Sequence, residues 1–533
     1  MKKTVQVILS LLIAASMMLS GCGNAAQAPV ASAPAPAVST APAPAASTAP
    51  APAASVAPAA KKDTIVAVIQ NEPTSLTTQA HNATHSSYIN DMTHNGLFRT
   101  DVNGIPQMEL LESYEAVSDT EFMMKLKPGI KFHDGTGLTS EDVKATLAWT
   151  ATFAECKQYT SSVKDVEVID DLTFKLITHA PSARLLLDLA HHANFIVPKA
   201  LIDSGNEFNT NPIGTGPYVF KDWVFGDKLH LEAFDDYYDQ ANKASIPKLE
   251  WRVIPEGSSR TIALETGEAD IIMDVSSNDI PRLRSADGID VIVNPSTGYF
   301  FLMLNNEVPP YDNELVRRGI NAGISKDDVV AVALNGLGLP GKTQLPELFT
   351  GVSSENVDGY DMELAKSYFQ QAGVDPSTLM LDIIVSSDTA RQACEVIQSN
   401  LGELGITVTI NSMDNATALQ TQFSGEYTGA IGGFTTSSSL TFLSGVFHSK
   451  MIGGSNRTRL NNPEIDAFID KGDITIDADE RDAIYYECTA MLNQIMTQVP
   501  LYQETVKVAY TSDLGGVQVN PSNAVWMNKM YWK

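Results

Sequence analysis

The chain has 533 residues, 44% of them hydrophobic, and carries a formal net charge of −27 at pH 7. A polypeptide this acidic repels phosphate backbones, and no basic stripe interrupts it, which argues against nucleic-acid binding. About 470 residues follow Lys62, enough for two or three domains with their own cores.

The first 22 residues predict a lipoprotein signal peptide. Two lysines precede an apolar run over 5–20, and Leu19-Ser20-Gly21-Cys22 is typical of the site where a peptidase cuts before a cysteine that receives lipid. The run is shorter than the roughly 20 residues of a membrane-spanning helix. We expect residues 1–21 to be removed and Cys22 to anchor the body at the outer face of the cell membrane.

Residues 22–62 comprise this cysteine and a predicted disordered tether. Between 25 and 60 the chain is almost entirely Ala, Pro, Ser, Thr and Val. Because it has few large apolar side chains to bury, it cannot offset the entropy cost of ordering. Its prolines favour an extended spacer.

Past the tether, the pattern predicts alternating strands and helices. The predicted strands are 64–69, 122–126, 174–177, 218–223, 271–275, 379–385 and 406–410. The predicted helices are one that begins after Thr139, together with 86–97, 258–266, 326–334 and 389–404. The strand–helix–strand order over 379–410 predicts a parallel pair with a crossover helix. The fold class is therefore α/β, with one lobe boundary near 285–300 and a second crossing near Pro500.

Three cysteines remain beyond Cys22, at positions 156, 394 and 488. Their number is odd and no two are closely spaced, which fits neither a disulfide framework nor a zinc site. One bridge stays geometrically open, and buried free thiols are the favoured interpretation.

Two motifs suggest ligands but lack the required context. Residues 336–343 match the nucleotide-binding P-loop letter for letter, yet a helix precedes them and Gln344-Leu345-Pro346 is a poor start for the helix that should follow. The stretch is therefore interpreted as a loop.

The histidines do not form a recognisable metal-binding pattern. No thiol or carboxylate lies at ligand spacing from His81 and His85, from the pair His191-His192, or from His448. We predict that His81 and His85 are solvated or cleft-edge histidines, and we predict neither a metal site nor a cofactor.

The sequence gives little support for catalysis. Neither G-x-S-x-G nor H-E-x-x-H occurs. Acid pairs such as Asp235-Asp236 are ordinary on a solvated surface. We therefore predict a protein that is not an enzyme.

Seven fragments, in order, resemble the signature of the family 5 extracellular solute-binding proteins, the oligopeptide, dipeptide and nickel receptors of ABC importers. They cover most of the chain beyond Lys62. These fragments are 131–143, 212–218, 264–271, 309–312, 316–320, 461–466 and 500–502.

The resemblance implies a periplasmic-binding-protein-like fold of class II: two hinged α/β lobes around a central cleft, with an extra subdomain. By position, lobe I takes residues 63–98, 186–290 and 500–533. The extra subdomain takes 99–185, and lobe II takes 291–499.

One departure from the family bears on the ligand. Peptide receptors of this family often have a tryptophan closely followed by an aspartate that neutralises the α-ammonium group of the peptide. After Tyr427 this chain instead has Phe434 and a run of hydroxyl residues to Ser439. A buried ammonium without a counter-charge costs a few kcal/mol. Either the ligand lacks a free amino terminus here, or another acid such as Glu72 replaces the aspartate. An ordinary loop over 435–439 is the alternative.

The resemblance and the residues together predict a monomeric, lipid-anchored receptor that captures a peptide or peptide-like solute and passes it to the permease and ATPase subunits of an ABC importer. Two alternatives stay open: a receptor for a nickel or metal chelate or another non-peptide solute, and a surface sensor lipoprotein that needs no importer. The predicted ligand-binding residues are Glu72, Thr74, Ser75, Tyr88, Trp223, Tyr299, Phe434, Thr435, Thr436, Ser437 and Ser438.

Overall fold

The computed structural model describes residues 62–533. The predicted signal peptide, the lipidation of Cys22 and the tether lie outside this range. The strands are β1 (Thr64–Ile69), β2 (Phe98–Thr100), β3 (Pro106–Met108), β4 (Leu111–Ser118), β5 (Glu121–Leu126), β6 (Val163–Val168), β7 (Thr173–Thr178), β8 (Tyr218–Val224), β9 (Lys228–Ala233), β10 (Lys248–Val253), β11 (Ile271–Ile272), β12 (Ile289–Leu304), β13 (Leu339–Pro340), β14 (Met380–Val385), β15 (Thr407–Ser412), β16 (Gly429–Thr435), β17 (Gln498–Thr511), β18 (Leu514–Gly515) and β19 (Tyr531–Trp532).

Helices separate many of these strands. They are α1 (Thr84–Thr93), α2 (Ser140–Thr150), α3 (Leu185–Leu189), α4 (Lys199–Ser204), α5 (Gly257–Glu265), α6 (Ile280–Arg284), α7 (Glu314–Ala322), α8 (Lys326–Ala333), α9 (Met362–Ala372), α10 (Asp388–Gly402), α11 (Asn415–Ser424), α12 (Ser439–Val446), α13 (Pro463–Ile474) and α14 (Ala478–Ile495). Within residues 62–533, none of them combines the length and apolarity that a membrane span requires.

Two long strands run through the middle of the largest sheet. Its order is β15-β14-β16-β12-β17-β11-β1-β10-β9-β8. The central strands β12 and β17 are antiparallel, and their register shifts between Pro295 and Tyr299. The N-terminal half of β12 pairs with the C-terminal half of β17, which also pairs with β11, whereas the C-terminal half of β12 also pairs with β16. The chain thus crosses twice between two lobes, and the irregularity falls between them.

Each lobe has its own hydrophobic core. In lobe I, strands β1, β9 and β10 pack against α1 and the C-terminal segment, with Trp251 fully buried. In lobe II, α7 to α10 cover one face of the sheet and α12 to α14 cover the other. A separate four-stranded sheet, β4-β5-β7-β6, packs with α2 around Phe132 and Phe174. The predicted domain boundaries stay a prediction.

The predicted elements are present, with shifted ends. Strands β14 and β15 are parallel and α10 connects them, as predicted. The helix predicted over 86–97 ends at Thr93, and the strand predicted over 271–275 ends at Ile272. Asp274, with a left-handed φ of 53°, interrupts the latter. Residues 336–343 form a loop with the short strand β13, and the next helix starts only at Met362. Cys156, Cys394 and Cys488 are free and buried.

Buried histidines make stability depend on pH. Burial, reinforced by nearby His133 and Arg99, lowers the pKa of His94 to about 3, whereas an unfolded histidine has a pKa of about 6.5. Between pH 3 and pH 6.5, His94 binds a proton in the unfolded chain but stays neutral in the folded protein. The free energy of unfolding therefore decreases as the pH falls from 6.5 towards 3, and at pH 5 the loss is about 2 kcal/mol.

We therefore expect His94→Gln to flatten the pH dependence of the melting temperature between pH 7 and pH 5. Other titrating groups, such as Asp188, are common to both proteins and cancel in the comparison. Parallel pH curves for wild type and variant would contradict this role of His94.

Candidate functional site

A cavity of about 650 Å³ opens where the two crossing strands change register. Residues 296–298 of β12 and Glu504 of β17 line it, together with residues from both lobes. Lobe II contributes 435–437, and the C-terminal segment contributes 520–526. The cavity therefore adjoins the segment about which the lobes would have to move.

One side chain that lines the cavity is a carboxylate, Glu504, for which the described residues 62–533 provide no hydrogen-bond or ion-pair partner. Burial raises the pKa of Glu504, and the charge of Lys507 only partly opposes this. Within residues 62–533, no side chain forms an ion pair or hydrogen bond with the Glu504 carboxylate. A Cβ atom on Gly298 would lie only 3.0 Å from Glu504 Oε2, so glycine makes room for this side chain.

Hydroxyl groups surround the carboxylate. The Thr297 hydroxyl is buried and unbonded within the part of the chain that the structure describes. Thr435, opposite Gly298 in the β12–β16 ladder, and Ser437 are exposed to the cavity. Neither hydroxyl bonds to another of residues 62–533. Thr436 instead donates to the Ser438 carbonyl at 3.2 Å, and the Ser438 hydroxyl accepts from the Thr441 N–H at the start of α12. The exposed hydroxyls of Thr435 and Ser437 are therefore available to a ligand, whereas that of Thr297 is closed off from solvent.

Ion pairs neutralise the charged groups of the cavity wall that lobe I and the segment 99–185 form. Arg99 Nε donates to Glu109 Oε1 at 2.5 Å, and its Nη1 lies 3.1 Å from Asp91 Oδ1. Arg184 Nη2 lies 3.2 Å from Asp188 Oδ1. Because these groups already have partners, Glu504 is the charged group that the described part of the chain leaves unpaired in the cavity.

A stack of aromatic rings edges the same wall. His191 stacks on Tyr159 with ring centroids 3.6 Å apart, and His192 stacks on His81 at 4.6 Å. Burial lowers the pKa of His192 to about 4, and burial together with the two neighbouring histidines also lowers that of His191. The stack is therefore neutral at pH 7 and offers no charge to an anion. Within residues 62–533, no group of three or more His, Cys, Asp or Glu residues is placed to hold a metal ion.

Of the predicted site residues, the structure brings Thr435, Thr436 and Ser437 to the cavity. Ser438 lines an adjoining cavity. Phe434 faces another hollow, with the Arg457 guanidinium 5.8 Å from its ring. Tyr299 is buried, and its hydroxyl donates to the Thr343 carbonyl at 2.9 Å.

The predicted lobe I residues bond to each other or to the core, and none lines the cavity of about 650 Å³. Trp223 Nε1 donates to Glu72 Oε1 at 2.6 Å. The Thr74 and Ser75 N–H groups both donate to Ser86 Oγ, at 2.9 and 3.3 Å. Tyr88 is buried and stacks on Trp251, with ring centroids 5.6 Å apart.

Sequence reasoning missed Glu504 and the segments 296–298 and 520–526. Glu504 lies two residues past the family-like fragment Pro500-Leu501-Tyr502, which could have drawn attention to it. Nothing in the linear pattern pairs it with Gly298, because that contact depends on the register of β12 against β17.

Comparisons with known proteins agree with this architecture. The family model "Bacterial extracellular solute-binding proteins, family 5 Middle" matches residues 106–453. The glutathione-binding protein GsiB of Pectobacterium atrosepticum is 30% identical over 364 residues, which cover 67% of this chain and 70% of that protein. GsiB of Escherichia coli strain K12 is 28% identical over 481 residues, which cover 87% of this chain and 93% of that protein.

A solved structure shows the same fold. HbpA2 from Haemophilus parasuis aligns with a TM-score of 0.81 at 21% identity, over 88% of this chain and 100% of that one. The match to the family model spans more than half of the present chain, and its relatives are substrate-binding proteins. This chain therefore belongs to the bacterial extracellular solute-binding proteins of family 5.

Proposed function

We propose that this protein captures a peptide or peptide-like solute outside the cell membrane and delivers it to the permease of an ABC importer. The observation that carries the proposal is the cavity between the lobes, which holds an unpaired carboxylate and free hydroxyls. Such a site binds a small polar solute and makes or breaks no bond. Closure of the lobes around the solute would exclude water and strengthen each contact.

Glu504 is the proposed partner for an ammonium group of the solute. In this proposal Glu504 supplies the negative charge that an aspartate supplies in peptide receptors of the family, and that the hydroxyl-rich run after Phe434 lacks. Glu72 is a weaker candidate, because its carboxylate already accepts a hydrogen bond from Trp223. The free, exposed hydroxyls of Thr435 and Ser437 would bind peptide carbonyl or carboxylate oxygens. Glutathione, which the GsiB proteins are named for binding, has an ammonium group and a peptide backbone of this kind.

The first test is to identify what the purified protein carries. Mass spectrometry after mild denaturation should detect short peptides or peptide-like amines. Calorimetry should then show binding of reduced glutathione or of a tripeptide pool, and none of a nickel–histidine chelate. Heat with the chelate alone would overturn the peptide assignment and favour the non-peptide alternative.

We also propose that lipid on Cys22 holds the receptor at the membrane. The expected result is that Cys22→Ser abolishes incorporation of labelled palmitate and releases the protein into the soluble fraction. Ser20→Ala, which leaves the acceptor cysteine in place, serves as the matched control and should remain labelled and membrane-bound. Unchanged labelling of Cys22→Ser would contradict the anchor.

A further inference from the structure

A second cavity, of about 530 Å³, adjoins the first and differs from it in chemistry. We call it the apolar chamber. Its walls come from the four-stranded-sheet region and from lobe II. The apolar side chains that line it include Ile105, Tyr114, Phe122, Leu186, Phe349 and Ile476.

The two cavities share a boundary. Leu187, Thr297, Ser437, Pro521 and Ser522 line both of them. The two cavities are therefore adjacent, and Thr297 and Ser437 lie where a solute bound in the polar cavity would approach the apolar chamber. Near this boundary, the Ala183 N–H donates to the Asp473 carbonyl at 3.0 Å and joins the two walls.

The charged groups of the apolar chamber already have partners. Arg481 donates to the carbonyls of Thr475 and Ile476, at 3.2 and 3.1 Å. Asp482 accepts from the Thr350 hydroxyl at 2.8 Å. An apolar substituent entering the chamber would cover the exposed hydrocarbon of its walls.

Several lining side chains are unusually exposed for their type. Ile105 is 52% exposed, Tyr114 is 40% exposed and Ile476 is 38% exposed. Large apolar side chains left open around one concave space indicate a binding surface.

From this we infer that the solute carries an apolar side chain that occupies the apolar chamber while its ammonium group binds Glu504. The inference rests on the proposed function and specifies its substrate class: peptides or peptide-like amines with a branched aliphatic or aromatic substituent. The chamber is large enough for a phenylalanine side chain. Filling it should favour such a solute by roughly 10- to 100-fold over one that ends in a methyl group.

The experiment uses the full soluble chain and an equimolar pool of synthetic tri- and tetrapeptides. Retained peptides are quantified against the input by mass spectrometry. We expect Leu, Ile, Met or Phe to be enriched about tenfold at one position. In the double variant Ile105→Asn/Ile476→Asn, this enrichment should be at least threefold smaller than in the wild type. Because both side chains are partly exposed, we expect the variant to fold, and its melting temperature verifies this.

The matched control is Ile262→Asn/Val332→Asn, which changes two partly exposed apolar side chains on α5 and α8. It should retain the wild-type enrichment. Retained peptides with the composition of the input would overturn the apolar chamber but leave the receptor function standing. If the chamber variant shows the same enrichment as the wild type, the apolar side chain of the solute does not bind in this chamber. If the wild type retains no peptide, the proposed function itself fails.

Discussion

Replacing Glu504 with Gln is expected to weaken binding of a peptide with a free amino terminus by about 2 kcal/mol or more, a roughly 30-fold rise in Kd. The physical reason is that an ammonium group in a partly desolvated cavity loses its counter-charge. Calorimetry with the best-retained peptide and its N-acetylated form separates this effect from general damage. The wild type should prefer the free amine, and Glu504→Gln should abolish that preference.

A pH titration gives an independent measurement of the same group. Because burial raises the pKa of Glu504 above its ordinary value, lowering the pH should protonate it before exposed glutamates, and the free amine should bind more weakly at pH 5 than at pH 7. The variant should bind equally weakly at both values. Glu363→Gln, an exposed residue on α9 paired with Lys366, changes the net charge equally and should behave like wild type. An unchanged preference for the free amine in Glu504→Gln would remove Glu504 from the site.

The largest expected effect on stability comes from Arg317. This side chain is 5% exposed and donates to the carbonyls of Met496, Tyr311 and Ile495, at 2.8, 2.9 and 2.6 Å. Met496 has a left-handed φ of 45° two residues before β17 begins. Arg317 therefore stabilises the turn from which the second crossing strand starts.

Arg317→Leu leaves three carbonyls without this donor and should lower the free energy of unfolding by about 3–5 kcal/mol. Denaturant-induced unfolding of the wild type and the variant measures this decrease in the free energy of unfolding. Arg391→Leu is the control, because its ion pair with Glu395 is on the surface and should contribute less than about 1 kcal/mol. Equal losses for the two variants would contradict the structural role of Arg317.

The sequence predicted the regular elements well because their signals are local. Runs such as 379–385 and 406–410 are apolar and β-branched, and the helix between them has one apolar face. The long strand β12 was harder to predict, since Asn294, Pro295, Ser296 and Gly298 are typical of a loop. They occupy the register shift between the two lobes, which only pairing with β17 defines.

The candidate site was only partly predictable, and strand geometry explains one part of the difference. Successive side chains of a strand point to opposite faces. Phe434 and Thr435 are adjacent on β16, so the hydroxyl of Thr435 reaches the cavity while the ring of Phe434 lies towards Arg457. Tyr88 illustrates a second reason: an aromatic residue near a predicted cleft can equally complete a core, here against Trp251.

Amide hydrogen exchange with and without the retained peptides tests the central claim most directly, because it locates bound solute along the whole chain. A solute held between the lobes should protect residues 296–298, 435–437 and 520–524 together. Protection confined to other segments, or binding that leaves these three unprotected, would contradict the account.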